Sequence, residues 1–309
     1  MAENEGGAAL RSLARDELSD RPPVLLWKHF RTDDPRELAR RTVEFYRRYG
    51  LAAAKLMPDI PILFQDFSLS SWQQVAHLRR FGPISSVGRA AEYVRAVELV
   101  RSELDPHELL LATVFSPLAL IGLWCGPAGI GELIAADRTE SHAVLWALAG
   151  LVSELSEACV NAGADAIYYS CWGQDLLSAQ QYGEFGIPYD LAGLRGAAAA
   201  EFRILHVHGG LNDSVDRYAA YPVEIIGWSE LNSQIGLAAG AQELPGKRVM
   251  GGISERLSRA TDPGMETCRR HVHQLISELG GQMVVAHGCS MPDDIDDVTV
   301  RTLRGLVPE

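Results

Sequence analysis

The sequence predicts an α/β fold, a single (β/α)8 TIM barrel, on three observations. Short apolar runs alternate with longer amphipathic stretches along most of the chain. The runs are near-continuous rather than alternating, which is what parallel strands buried on both faces require. About eight such units fill most of the 309 residues, the size of one closed barrel rather than of two small domains. No Gly-x-Gly-x-x-Gly opens a helix after the first strand and no Gly-Lys-Ser/Thr loop occurs, so a dinucleotide or P-loop site has no support.

The elements follow in order. Residues 1–20 are small, charged and aperiodic, and are expected as a flexible tail or a poorly packed first helix, leaving 21–309 as the barrel domain. Strands are expected at 23–27, 52–57, 109–115, 166–171, 204–208, 224–228, 248–253 and 283–287. Helical patterns lie at 35–49, 141–162, 178–185, 189–199, 213–219, 264–279 and 296–306. Neither an internal repeat nor a Pro- or Ser-rich linker divides the chain.

Composition bounds the function. The 28 basic and 40 acidic side chains give a net charge of −12, which argues against a nucleic-acid partner. Five widely spaced cysteines, Cys125, Cys159, Cys171, Cys268 and Cys289, are an odd number in a chain large enough to form its own core; reduced thiols in a cytoplasmic protein are expected. The first residues are acidic with no apolar segment behind them, so no secretory signal is read. The apolar stretch 109–124 is shorter than a membrane span and holds Ser116 and Pro117.

In a barrel, reactive groups gather at the carboxyl ends of the strands. There the sequence offers Asp59, Cys171 and Trp172, His206 and His208, Trp228, Glu255 and Cys289. His206 and His208 are two apart on a strand and so face the same way. With Cys289 they make two imidazoles and a thiolate, a set suited to tetrahedral Zn²⁺ with one open position. Two hydrogen-bonded strand-end histidines and a small buried thiol are the competing reading. His271 and His273 are also two apart, but in a helical stretch, where that spacing points them to different faces.

Several segments resemble the uroporphyrinogen decarboxylase superfamily: Ile204-Leu205-His206-Val207-His208-Gly209-Gly210, Glu224-Ile225-Ile226-Gly227-Trp228, Gly251-Gly252-Ile253-Ser254-Glu255 and Gly288-Cys289-Ser290-Met291-Pro292-Asp293. Arg21-Pro22-Pro23-Val24 and Gly163-Ala164-Asp165-Ala166-Ile167 add to the likeness, which spans roughly residues 20–307 in order. The superfamily joins porphyrinogen decarboxylases to zinc-dependent, cobalamin-linked methyltransferases, and the resemblance implies a (β/α)8 barrel. Where the decarboxylases hold substrate carboxylates with arginines, this chain has Trp27-Lys28-His29-Phe30-Arg31, which leaves Lys28 and Arg31 as cations; their central aspartate is matched by Asp59. The methyltransferase branch uses a His-x-Cys pair and a Gly-Cys turn for zinc, and His206-x-His208 and Gly288-Cys289 stand in those places.

The first expectation is therefore methyl or group transfer to a thiol activated by Zn²⁺ on His206, His208 and Cys289, with Glu255 as base or fourth ligand. A cobalamin-linked donor, a corrinoid protein partner and a homodimer go with that reading. A second expectation is decarboxylation of a small or aromatic acid at Asp59, with Lys28 and Arg31 orienting it and Tyr168, Tyr169 and Trp172 walling the pocket. A non-catalytic metal or corrinoid carrier is the third.

Overall fold

The computed structural model describes residues 4–19, 21–61, 87–211 and 214–307. Eight strands form one all-parallel sheet: β1 (Val24–Leu25), β2 (Ala54–Leu56), β3 (Leu110–Phe115), β4 (Ala166–Cys171), β5 (Phe202–Val207), β6 (Ile225–Trp228), β7 (Arg248–Ile253) and β8 (Met283–His287). They are hydrogen-bonded in the order β1-β8-β7-β6-β5-β4-β3-β2, so every neighbour but β1 and β8 is consecutive in sequence. The two ends of this order, β1 and β2, meet at a backbone bond from the Ala52 N–H to the Val24 carbonyl of 2.9 Å. All eight expected strands are present, several trimmed by one to three residues at their ends.

The helices are α1 (Glu5–Ala14), α2 (Pro35–Tyr49), α3 (Ala90–Glu103), α4 (Pro117–Ala135), α5 (Arg138–Asn161), α6 (Ala179–Phe185), α7 (Ile187–Leu194), α8 (Leu237–Glu243), α9 (Met265–Leu279) and α10 (Asp297–Arg304). Local chemistry sets their ends. Asp34 accepts from the N–H groups of Arg36 and Glu37, Pro35 opens α2, and Gly50 closes it at φ +56°. Ser178 and Gln181 form a reciprocal capping box on α6. α3, α4 and α8 were not expected from the helical patterning. In α4 the pattern is blurred because the helix is apolar almost throughout and kinks at Gly126 (φ +71°), beside Pro127. The expected helix at 213–219 is one 3-10 turn, Asp216–Tyr218, and its first residue lies outside the described residues.

Strand alternation sorts the core into two bodies. Leu25, Ala53, Leu111, Ala166, Tyr168, Phe202, Ile204, Met250, Val284 and Ala286 pack inside the curled sheet, and a larger cluster lies between sheet and helices. Residues 5–14 are the first helix, the second of the two expectations for this segment, and it is well packed rather than poorly packed. They form α1, whose Leu10 and Leu13 are buried in the inner cluster below the strands, while Asn4 Nδ2 donates to Tyr46 Oη and to the Leu51 carbonyl, both at 2.8 Å. Their periodicity is short, and the buried Gly7, Leu10 and Leu13 together with the Asn4 anchor order the segment.

α4 and α5 are long and apolar enough to cross a membrane by length and composition, and about half of each apolar window is buried against the rest of the fold. That burial is the mark of core helices.

Candidate metal and substrate site

His206 and His208 project inward from the carboxyl end of β5, and Cys289 follows β8 across the same mouth. One ligand atom from each lies within 4.8 Å of the others, the group of three metal-capable side chains found among the described residues. Cys289 Sγ is 3.5 Å from His208 Nδ1. Burial pulls the pKa of both histidines down, His206 strongly, so both imidazoles are neutral and their lone pairs are free to ligate. Burial raises the Cys289 thiol, and the nearby Glu255 charge adds to this. A cation brought to these atoms would meet neutral nitrogen donors and a thiol that must lose its proton, a set that fits Zn²⁺.

The groups behind the triad were not foreseen. His287 accepts from the Trp27 N–H at 3.1 Å through Nε2 and donates from Nδ1 to the Cys289 carbonyl, and burial lowers its pKa to about 3. It is a neutral brace that ties β1 to the cysteine turn. Gly288 is required there by close approach: a Cβ would stand 2.6 Å from Ser229 Cα and 2.9 Å from Glu255 Oε2. On the opposite side Gln174 Nε2 donates to the carbonyls of His208 (2.7 Å) and Gly210 (3.1 Å). The intervening Gly209 has φ +92°, and a Cβ on it would strike the Asp175 carboxylate.

A cavity of about 150 Å³ opens on the triad. Tyr168 and Trp172 line it, with their rings 5.6 Å from His206 and 5.4 Å from His208. Its floor carries a fully buried lysine that the sequence reading missed. Lys55 Nζ bonds to Thr113 Oγ1 (3.0 Å) and Met57 Sδ (2.9 Å), and lies 3.9 Å from the Tyr168 ring centroid and 4.7 Å from that of Trp27. Burial lowers its pKa far below the ordinary lysine value. A lone lysine in an apolar strand is the available signal, since an unpaired ammonium is costly to bury.

Other expected site residues lie elsewhere. Tyr169 and Cys171 alternate with Tyr168 and Ser170 along β4 and so face the helices, not the cavity. There they join a buried cluster around Asp190, which accepts from Tyr182 Oη (2.7 Å) and Tyr221 Oη (2.9 Å). Lys28 donates to the Asp293 carbonyl and Arg31 pairs with the Asp293 carboxylate at 2.5 Å, both beside α2 and outside the triad cavity. Asp59 is nearly buried, accepting from the N–H groups of Phe30 (2.6 Å) and Arg31 (3.2 Å) and bonding His29 Nδ1. Its carboxylate shapes the loop after β1. Trp228 donates to the Ile235 carbonyl at 2.8 Å and lines a neighbouring cavity of about 400 Å³ with Glu255. Glu255 accepts from Ser229 Oγ (2.5 Å) and Asn232 Nδ2 (3.0 Å), close enough to the triad for its charge to act on both His208 and Cys289. His271 bonds Glu230 at 2.9 Å and His273 the Leu306 carbonyl at 3.0 Å, so the second histidine pair is held apart by separate partners.

Among solved structures, the chain is similar to a methyltransferase from Methanosarcina mazei, with 15% identity and a TM-score of 0.77 over 97% of each chain. It is also similar to a B12-independent methionine synthase from Shewanella sp. W3-18-1, with 14% identity and a TM-score of 0.53, covering 69% of this chain and 64% of that one. At these identities the likeness is one of fold. No curated protein sequence matches the chain. The sequence profile of uroporphyrinogen decarboxylase (URO-D) matches residues 27–309, nearly the whole of the sheet and every member of the triad, and the chain belongs to that family.

Proposed function

We propose that this protein is a zinc-dependent group-transfer enzyme whose acceptor is a thiol, working at the carboxyl-end mouth of a closed (β/α)8 barrel. The observation that carries the reading is the convergence of His206, His208 and Cys289 within 4.8 Å at the wall of an aromatic-lined cavity. Three donors with room for a fourth are the arrangement of catalytic rather than structural zinc. Zinc bound there would act as a Lewis acid that lowers the pKa of a substrate thiol.

The residues divide the remaining work. His287 and Gly288 fix the position of Cys289, and Gln174 fixes the turn that carries His208. Tyr168 and Trp172 narrow the space in which the acceptor sits and exclude water from it. To Glu255, which lines the neighbouring cavity with its orientation held by Ser229 and Asn232 and whose charge reaches His208 and Cys289, we assign acceptance of the acceptor's thiol proton. The methyl donor is a small molecule or a corrinoid protein; the methyltransferase and methionine synthase of similar fold support methyl as the group moved. Decarboxylation at Asp59 is the weaker reading because that carboxylate is already occupied by three donors of the β1 loop.

Elemental analysis of the purified chain at neutral pH, beside His208→Ala and Cys289→Ala, tests the reading. Near-stoichiometric zinc lost from both variants is expected. Zinc-free protein that takes up no added zinc overturns it.

A further inference from the structure

The chain contains three lysines against 25 arginines, and one of the three is wholly inside the barrel. Lys28 and Lys247 donate to backbone carbonyls near the surface, Lys247 to Tyr221 and Val223 at 2.8 and 2.9 Å. Lys55 has no such acceptor. Its partners are a hydroxyl, a thioether and two aromatic faces, and none of the described residues lining its cavity is a carboxylate. An arginine could not fill this role, since it does not deprotonate, whereas a desolvated lysine amine is a nucleophile.

We propose that Lys55 is a carbonyl-capturing residue, which forms a protonated imine with a small aldehyde or ketone bound in the triad cavity. The amine nitrogen attacks the carbonyl carbon; the new C–N bond replaces C–O, and the oxygen leaves as water with both amine hydrogens. The imine nitrogen then takes one proton from solvent and becomes a cation. The structure is prepared for that cation: the Tyr168 and Trp27 rings stand 3.9 and 4.7 Å from Nζ. Thr113 Oγ1, at 3.0 Å, can hydrogen-bond the amine or the intermediate. Tyr168 Oη, buried and without a partner among the described residues, is a further donor in the cavity wall for the carbonyl oxygen or another oxygen of the ligand. A cavity of about 150 Å³ suits a small ligand. Burial lowers the Lys55 pKa, against the opposing pull of the Cys289 and Asp59 charges. This capture is an activity additional to thiol group transfer and does not depend on the metal.

The test is reductive trapping of the full chain at pH 7 with propanal or pyruvate and sodium cyanoborohydride, in zinc-loaded and chelator-treated protein, followed by intact mass and peptide mapping. We expect one adduct, on Lys55, formed at least tenfold faster than on Lys28, Lys247 or the terminal amine, and lost in Lys55→Arg. Because that variant replaces a buried group, Thr113→Val serves as a second check and is expected to change the trapping rate at Lys55 severalfold while leaving the surface lysines unchanged. Adducts spread over Lys28, Lys247 and the terminus with no preference for Lys55 overturn the proposal. Since the readout is covalent mass, a chain that binds no zinc but is labelled at Lys55 refutes the metal reading alone.

Discussion

Cys289 Sγ and His208 Nδ1 stand 3.5 Å apart although 81 positions separate them, because β5 and β8 reach one mouth from opposite parts of the sheet. Two ligand atoms brought this close across the mouth, with His206 beside them, can share one ion. We therefore expect Cys289→Ala and His208→Ala each to lower zinc affinity by more than the 10- to 100-fold typical of losing an outer-shell partner. Competition against a chromophoric zinc chelator measures this, and circular dichroism checks that the fold persists. Unchanged affinity in either variant removes that residue from the ligand set.

Gln174 never touches the metal position, yet it holds the carbonyls on both sides of Gly209. Gln174→Ala should leave the turn free to move and weaken zinc binding by about 10-fold, within the range seen for supporting residues. The same chelator competition reads the effect. An affinity equal to that of the parent chain would mean that Asp175 and the strand alone set the His208 geometry.

Asp59 separates the two mechanistic readings. As a loop anchor it satisfies three donors, and Asp59→Ala should cost about 2–3 kcal/mol by leaving them unpaired. Urea unfolding measures the loss, and zinc content is expected to stay unchanged. Stability equal to the parent's, combined with lost turnover, would instead place Asp59 on the substrate.

The strands were legible in the sequence because a parallel sheet buried on both faces writes itself as continuous apolar runs, as in Leu110–Phe115 and Ala166–Cys171. The triad was legible because strand periodicity fixes His206 and His208 on one face. Tyr169 and Cys171 show the limit of the same rule: alternation separates them from Tyr168, but composition does not say which set faces inward. Lys55 stands out in the sequence as a lone lysine in an apolar strand, but neither its role nor that of His287 was legible. Their roles come from partners far away in sequence, Thr113 and Tyr168 for the one and Trp27 for the other. For residues 1–20 a first helix was one of two expectations, but its firm packing was not legible, because that comes from Leu10 and Leu13 reaching the inner cluster below the strands, a tertiary effect that a ten-residue stretch does not announce.

Asp190 gives the fold a pH dependence of its own. It lies on α7, wholly buried on the side of Tyr169 and Cys171 of β4, and desolvation raises its pKa to about 7 despite hydrogen bonds from Tyr182 and Tyr221. A carboxyl whose pKa is higher folded than unfolded stabilises the fold when protonated, in full below the unfolded value near 4. That contribution is lost as pH rises through the folded value near 7. Between pH 5 and pH 8 the parent chain should therefore lose roughly 2–3 kcal/mol through this group. Asp190→Asn keeps a neutral side chain that can still accept from a tyrosine, and removes the titration. His206 and His287 act in the opposite sense, since burial keeps them neutral and their penalty falls as pH rises. The clean measurement is thus the parent-minus-variant difference in urea unfolding free energy at the two pH values. A difference that shrinks or reverses at pH 8 is expected, and one independent of pH would mean that Asp190 is ionised within the fold across the whole interval.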